Sequence, residues 1–315
     1  MKKVILDCDP GMDDAVAIIM ASKSSQLDLL AITCVNGNYP VDVTSTNARK
    51  IMELLGRDDI IVARGMANPM IRKSPADPFT HGEDGLANSN LPEPKLPLSE
   101  KHAVEVLKDL IIANPNEITI IATGPLSNIG MLITQYPETK PLIKEIIAIS
   151  GTFGLNKAAF ANATGDTPQS EWNVYVDPEA SKVVYESEIP FTAIGLDVAT
   201  NFDVDLTKED IKQIENSTNK EAKFLFNAIN FVNQRGFGAY CAVIDCMAVS
   251  YAINKELIKC EKVHVGVETK DGLTLGMTVR DSRHHFVWEN LPLINIAVDA
   301  DYEGFLNLLK ELVLR

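Results

Sequence analysis

The chain has 315 residues, 46% of them hydrophobic, enough for one large domain or two small ones with a substantial core. Its 43 acidic residues against 29 basic ones give a net charge of −14, which argues against nucleic acid or an anionic membrane as a partner, because phosphate binding needs clustered Lys and Arg. Five cysteines, an odd count with no C-x-x-C pair, read as reduced thiols of a cytoplasmic protein, and no signal-peptide core or bilayer-spanning apolar run is evident.

Val4–Leu6 reads as a short buried strand. Asp7, Asp9, Asp13 and Asp14 follow on one turn, and Asp13–Ser22 then reads as a helix opened by acids that suit its N-terminus. Leu29–Val35 is a second strand. Val41–Leu55 is a helix with Gly56 as its stop signal. Ile60–Ala63 is a third strand. Residues 65–98 break the rhythm; a loop of that length inside a domain is usually functional or disordered, and this one carries Thr80-His81-Gly82-Glu83-Asp84-Gly85. A helix is predicted over Ser99–Ala113 with Ser99 as its N-cap. A strand over Ile118–Ala122, a helix over Ser127–Tyr136 and a strand over Glu145–Ser150 come next. After an irregular stretch, Gly151–Asn173, the pattern gives a helix over Pro178–Glu186, a strand over Phe191–Leu196, and helices over Lys208–Glu215 and Lys220–Gln234. Glu261–Glu268 and Leu273–Arg280 flank an Asp-Gly pair and suggest a hairpin. Leu291–Val298 closes as a strand and Tyr302–Leu314 as a helix.

Repeated strand–helix units imply an α/β fold, a mostly parallel doubly wound sheet flanked by helices, with a C-terminal antiparallel hairpin. With no linker or internal repeat, residues 1–315 read as a single domain. Ligands of such sheets sit beyond the carboxyl ends of the strands. There Asp7, Asp9, Asn36–Asn38, Thr123, Gly151 and the 65–98 loop should converge.

Four carboxylates on one tight turn, with no Lys, Arg or His within it, repel one another unless a cation sits among them. An all-oxygen donor set suits Ca²⁺ or Mg²⁺ better than zinc. An EF-hand is excluded, because counting twelve from Asp7 gives Ile18 where that loop needs Glu.

The run Asp7-Cys8-Asp9-Pro10-Gly11-Met12-Asp13-Asp14-Ala15 resembles the fingerprint of the inosine–uridine preferring nucleoside hydrolases. Further ordered segments carry the same resemblance: Val35-Asn36-Gly37-Asn38, Ala122-Thr123-Gly124-Pro125-Leu126-Ser127-Asn128 and Glu171-Trp172-Asn173-Val174-Tyr175-Val176-Asp177-Pro178-Glu179-Ala180, with Asp245 where a late metal-binding aspartate belongs. The resemblance implies hydrolysis of a ribonucleoside to ribose and free base with a bound Ca²⁺, by a homo-oligomer (dimer or tetramer). It implies that Asp9, Asp14, the Thr123 carbonyl and Asp245 hold the metal, that Asp9 is general base toward the metal-held water, and that Asp13, Asn38, Glu171 and Asn173 grip the ribose, with Asn162 nearby. Asp7 falls to the supporting shell.

The chain departs from the family pattern where many members place a His before the late aspartate and a Pro after it. Here those positions are Ile244 and Cys246, and an aliphatic side chain donates no proton. Trp172 is then expected to stack on the base. His81, in the long loop, and Tyr240, in the Gly-rich segment before Asp245, are further candidates for the base side. His102 is expected on a helix facing solvent, His264 in a strand and His284-His285 beyond the hairpin. Cys8, beside carboxylates that disfavour a thiolate, reads as packing. Two rivals are a non-catalytic nucleoside- or sugar-binding protein on the same scaffold, and a haloacid-dehalogenase-like phosphatase using Asp7 and Asp9. The second leaves Asp13-Asp14 and the Glu171–Ala180 segment unexplained.

Overall fold

In a computed structural model, which describes residues 1–75, 80–201 and 204–315, side chains of the first strand alternate between two apolar cores. Val4, Leu6 and Cys8 of β1 (Lys2–Cys8) join a core with the helix Met12–Lys23, while Ile5 joins another with the helices Ala103–Ala113 and Ser127–Gln135. That period of two places one core on each face of the sheet.

The other strands are β2 (Leu27–Cys34), β3 (Ile61–Arg64), β4 (Thr119–Ala122), β5 (Glu145–Ile149), β6 (Phe191–Ile194), β7 (Ile258–Val267), β8 (Thr278–Arg280) and β9 (Leu293–Ala300). Their spatial order is β3-β2-β1-β4-β5-β6-β9-β7-β8. All pairs from β3 to β9 are parallel, and β7 and β8 add the antiparallel end. The order reverses direction between β1 and β4, which opens a crevice at their carboxyl ends.

Helix Val41–Leu55 stops where expected: Gly56 adopts φ +67° and its N–H caps the carbonyls of Glu53 and Met52. Helices Lys208–Glu215, Lys220–Gln234 and Tyr302–Leu314 also match their predicted bounds. Residues 76–79 of the long loop lie outside the described residues.

Three local expectations change. The helix expected from Ser99 begins at Ala103, and its cap is His102, whose Nδ1 accepts from the Val104 N–H while Glu105 reaches back to the His102 N–H. The reciprocal pair satisfies two free donors of the first turn, which a Ser at position 99 is too far upstream to do. The hairpin after β7 is looser than an Asp-Gly turn. The carbonyl of Leu275 accepts from Thr167 Oγ1, Met277 bridges to Ser170 while its carbonyl accepts from the Glu268 N–H, and β8 shortens to three residues. A helix absent from the sequence reading, Cys246–Ile253, is buried along its whole length. Apolar on every side, it offers no amphipathic period to detect.

Candidate active site

The crevice at the sheet reversal is lined by residues that β1 and β4 deliver. The Asp7 carbonyl accepts from the Thr123 N–H at 2.9 Å, and the Cys8 carbonyl from the Val35 N–H at 3.0 Å, so the loops after β1, β2 and β4 are tied together at their roots. Asp7 itself points away from the crevice. Its Oδ2 accepts from Thr33 Oγ1 at 2.5 Å and from Asn128 Nδ2 at 2.9 Å, clasping β2 and the helix Ser127–Gln135. Burial pushes its carboxyl up to about 7.

Asp9 is buried just past the strand end. Its Oδ2 accepts from the Asn38 N–H at 2.6 Å, while its Oδ1 is buried with no partner. Two glycines let the neighbouring loops close on it: a Cβ on Gly37 would fall 2.0 Å from Oδ2, and one on Gly124 2.7 Å from Oδ1. Asp14 accepts from Thr123 Oγ1 at 2.7 Å, from the Gly11 N–H at 3.0 Å and from Asn38 Nδ2 at 3.3 Å. Asp245 stands at the start of the helix Cys246–Ile253. Asp13, Asp14 and Asp245 each present an oxygen within 4.8 Å of the others. Asp9 adjoins this trio and lies outside it, although the sequence reading grouped Asp9 with Asp14 and Asp245 and turned Asp13 toward the sugar.

These carboxylates are held above the usual range. Burial is the first cause at Asp9, Asp13, Asp14 and Asp245, and mutual repulsion adds to it: Asp14 acts on Asp9, Asp13 on Asp14, and Asp13, Asp14 and Asp9 on Asp245. His81 approaches them with its Nδ1 3.5 Å from Asp13 Oδ1, but that nitrogen accepts from the Met12 N–H at 3.3 Å and so has no proton to give the carboxylate. Gly11 permits that approach, since a Cβ there would meet the imidazole at 2.6 Å. Buried carboxylates without a matching cation are costly, and unpartnered oxygens on Asp9 and Asp13 are the donors a hard metal ion would use. The Thr123 carbonyl accepts from Asn173 Nδ2 at 2.7 Å, which leaves its second lone pair for a further partner. The residues fit a bound divalent cation.

A cavity of about 440 Å³, within the range that takes a small-molecule ligand, opens above this cluster. Asp13, Asn38, Glu171, Asn173 and Asp245 face it on the side of the cluster. Glu171 accepts the backbone N–H groups of Gly151, Asn173 and Val174, which also starts the short helix Trp172–Val176, and burial pushes its carboxyl up to about 7. Trp172, His81, Tyr240, Ile244 and Asn162 also line the cavity. The Trp172 Nε1 is buried without a partner, and its ring stacks on Tyr175 with centroids 6.2 Å apart. Asn162 donates to Thr200 Oγ1 at 3.0 Å. Burial pushes the Tyr240 hydroxyl up to about 12. Arg235 and Phe237 also reach the cavity. Nothing in their residue type singled them out; the only sequence signal was the Gly-rich run that contains them.

Residues 4–307 match the family model described as inosine-uridine preferring nucleoside hydrolase. The pyrimidine-specific ribonucleoside hydrolase RihA of Citrobacter koseri is 35% identical over 314 residues, covering 98% of this chain and 96% of that protein. Among solved structures, the plant nucleoside hydrolase PpNRh1 superposes with a TM-score of 0.87 at 28% identity, over 99% of both chains. The purine-preferring ribonucleoside hydrolase from Gardnerella vaginalis superposes with 0.84 at 26% identity, over 99% of this chain and 98% of that one.

Proposed function

Because the chain belongs to the inosine–uridine preferring nucleoside hydrolase family and is a ribonucleoside hydrolase, we propose that it binds its substrate with the ribose on the carboxylate floor and the base toward Trp172, Tyr240 and Ile244. The observation that carries this reading is the buried Asp13–Asp14–Asp245 cluster, with buried Asp9 beside it, at a cavity of about 440 Å³.

Asp9, Asp14, Asp245 and the Thr123 carbonyl are the proposed holders of a Ca²⁺ ion. When bound, the ion would acidify a water and orient the ribose 2′- and 3′-hydroxyls. Asp9, its Oδ2 fixed by the Asn38 N–H, would be the base that accepts a proton from the attacking water. Asp13, Asn38, Glu171 and Asn173 accept or donate to the ribose hydroxyls, with Asn162 at the edge. Carboxylates packed around the sugar stabilise the positive charge that develops on the ring in an oxocarbenium-like transition state. A 2′-deoxynucleoside would leave buried polar partners unpaired and should be a poor substrate. Trp172 offers a stacking face for the base, worth about 0.5–1.5 kcal/mol beyond burial.

The pyrimidine specificity named for the Citrobacter relative makes uridine and cytidine the first substrates to assay. We place the protein in the cytoplasm as a homo-oligomer, folded as one domain over residues 1–315. All five cysteines are unpaired in the structure, which fits a reducing compartment.

The test is ribose release from uridine, cytidine, inosine, adenosine and guanosine, with 2′-deoxyuridine as control. Asp9→Asn should abolish turnover while the thermal melt stays cooperative. Wild-type turnover by Asp9→Asn would remove Asp9 from the mechanism. Tight nucleoside binding by the metal-loaded protein with no ribose released would favour a binding protein instead.

A further inference from the structure

The cavity is electrically lopsided. Asp13, Glu171 and Asp245 lie along its floor, and Arg235 is the one Lys or Arg among the described residues of its wall. Arg235 directly follows the helix Lys220–Gln234, and it is anchored on two sides. Its Nη1 donates to the Thr80 carbonyl at 3.1 Å, and its guanidinium carbon lies 5.1 Å from the Phe231 ring centre. The contact to Thr80 sets the charge on the cavity wall, one residue along the chain from His81.

Resting on the reading that a ribonucleoside fills this cavity, we propose that Arg235 faces the departing base and stabilises the negative charge that develops on it, in place of the proton that Ile244 cannot supply. As the C1′–N bond breaks, both electrons go to the base nitrogen. Positive charge grows on the ribosyl carbon beside the carboxylates, and negative charge spreads from the nitrogen to the carbonyl oxygens of the base. Water bonds to C1′ and gives one proton to Asp9, and the freed base takes a proton from solvent after it leaves.

A guanidinium does not release its proton, so its contribution is a fixed field rather than acid catalysis. Its planar fork suits oxygen acceptors, and a charge held in place before the reaction needs no reorganisation as the base departs. The floor acids and Arg235 carry the two signs of charge that complement the two halves of the breaking bond. The substrate class follows: nucleosides whose base carries its departing charge on carbonyl oxygens, uridine ahead of cytidine and inosine ahead of adenosine.

The experiment compares uridine with p-nitrophenyl β-D-ribofuranoside, whose leaving group needs no help to depart. Wild type, Arg235→Met and Arg235→Lys are assayed in the metal-loaded protein. Arg235→Met should lose about 10²-fold in kcat/KM on uridine and less than about three-fold on the p-nitrophenyl riboside, the size of effect expected of one preorganised electrostatic donor. Arg235→Lys, which keeps the charge and loses the fork, should fall between wild type and Arg235→Met on uridine. Equal losses on both substrates would overturn the leaving-group role and make Arg235 a residue that merely closes the site. Wild-type protein that cleaves the p-nitrophenyl riboside retains the hydrolase reading whatever Arg235 does, and failure on both substrates would sink the two readings together.

Discussion

Gly37→Ala inserts one methyl group against the proposed general base. The new Cβ would sit 2.0 Å from Asp9 Oδ2, where real Cβ contacts essentially never fall below 3.0 Å, so the carboxylate or the loop must move by about 1 Å, the difference between the two distances. Gly37 has no positive φ, so the backbone itself accepts alanine, and the new Cβ meets the Asp9 carboxylate first and Pro125 Cδ, at 2.8 Å, second. The displacement also breaks the 2.6 Å bond from the Asn38 N–H that aims Asp9. Overpacking of this kind costs about 1–3 kcal/mol of stability, and a misplacement of about 1 Å at a reacting group costs about 10²-fold in rate. The assay is kcat/KM for uridine beside a thermal melt of the same sample. Gly56→Ala is the control: it forces alanine into φ +67° with open space around it, so it should cost about 1–2 kcal/mol of stability and leave kcat/KM unchanged. If Gly37→Ala turns over uridine at the wild-type rate, the placement of Asp9 does not govern the reaction and the base assignment is wrong.

Three further outcomes are expected. Chelation with EDTA should abolish turnover and lower the melting temperature, with both restored by Ca²⁺, because among the described residues no Lys or Arg pairs with the acidic cluster; a chelated enzyme that stays active would exclude a divalent ion from the cluster. Glu171 is raised from an ordinary value near 4.5 to about 7 by burial, so its contribution to stability is present at low pH and is lost as pH rises from about 4.5 through about 7, at most about 3 kcal/mol. Thermal melts at pH 5 and pH 8 should therefore differ less for Glu171→Gln than for wild type, and an identical pH response in the two would assign the effect elsewhere. Asp9→Asn should bring ribose release to the detection limit with its melt intact, as measured by the panel described above.

Much of the fold was readable because it rests on local rules. Gly56 stops its helix through a left-handed cap, Asp-Pro-Gly turns the chain after β1, and alternating apolar strands point to a sheet covered on both faces. The candidate site was readable where side-chain chemistry is unusual, as with four aspartates on one turn. The legible part ended where contacts are tertiary. Helix Cys246–Ile253 has no polar face to reveal its period. His102 caps its helix because Glu105 sits one turn on, whereas side-chain type alone pointed three residues upstream, to Ser99. Arg235 carries no signal beyond the Gly-rich run around it: its place in the cavity depends on the Thr80 carbonyl of a loop distant in sequence. The family resemblance grouped Asp9 with Asp14 and Asp245, whereas the structure brings Asp13 within reach of those two, Asp13 and Asp14 being neighbours on one crowded turn that Asp245 meets from a distant helix.

The buried helix that presents Asp245 has a consequence for biogenesis. Asp9, Asp13 and Asp14 emerge first from the ribosome, and their late companion arrives only on an element that has no stable surface of its own until the core behind the sheet is closed. A nascent or truncated chain ending before that helix therefore holds three acids and no complete cage. A divalent ion held at that cluster would bind the folded chain and not its precursors, so that its affinity would report on the finished tertiary structure and its binding would latch the last step of assembly.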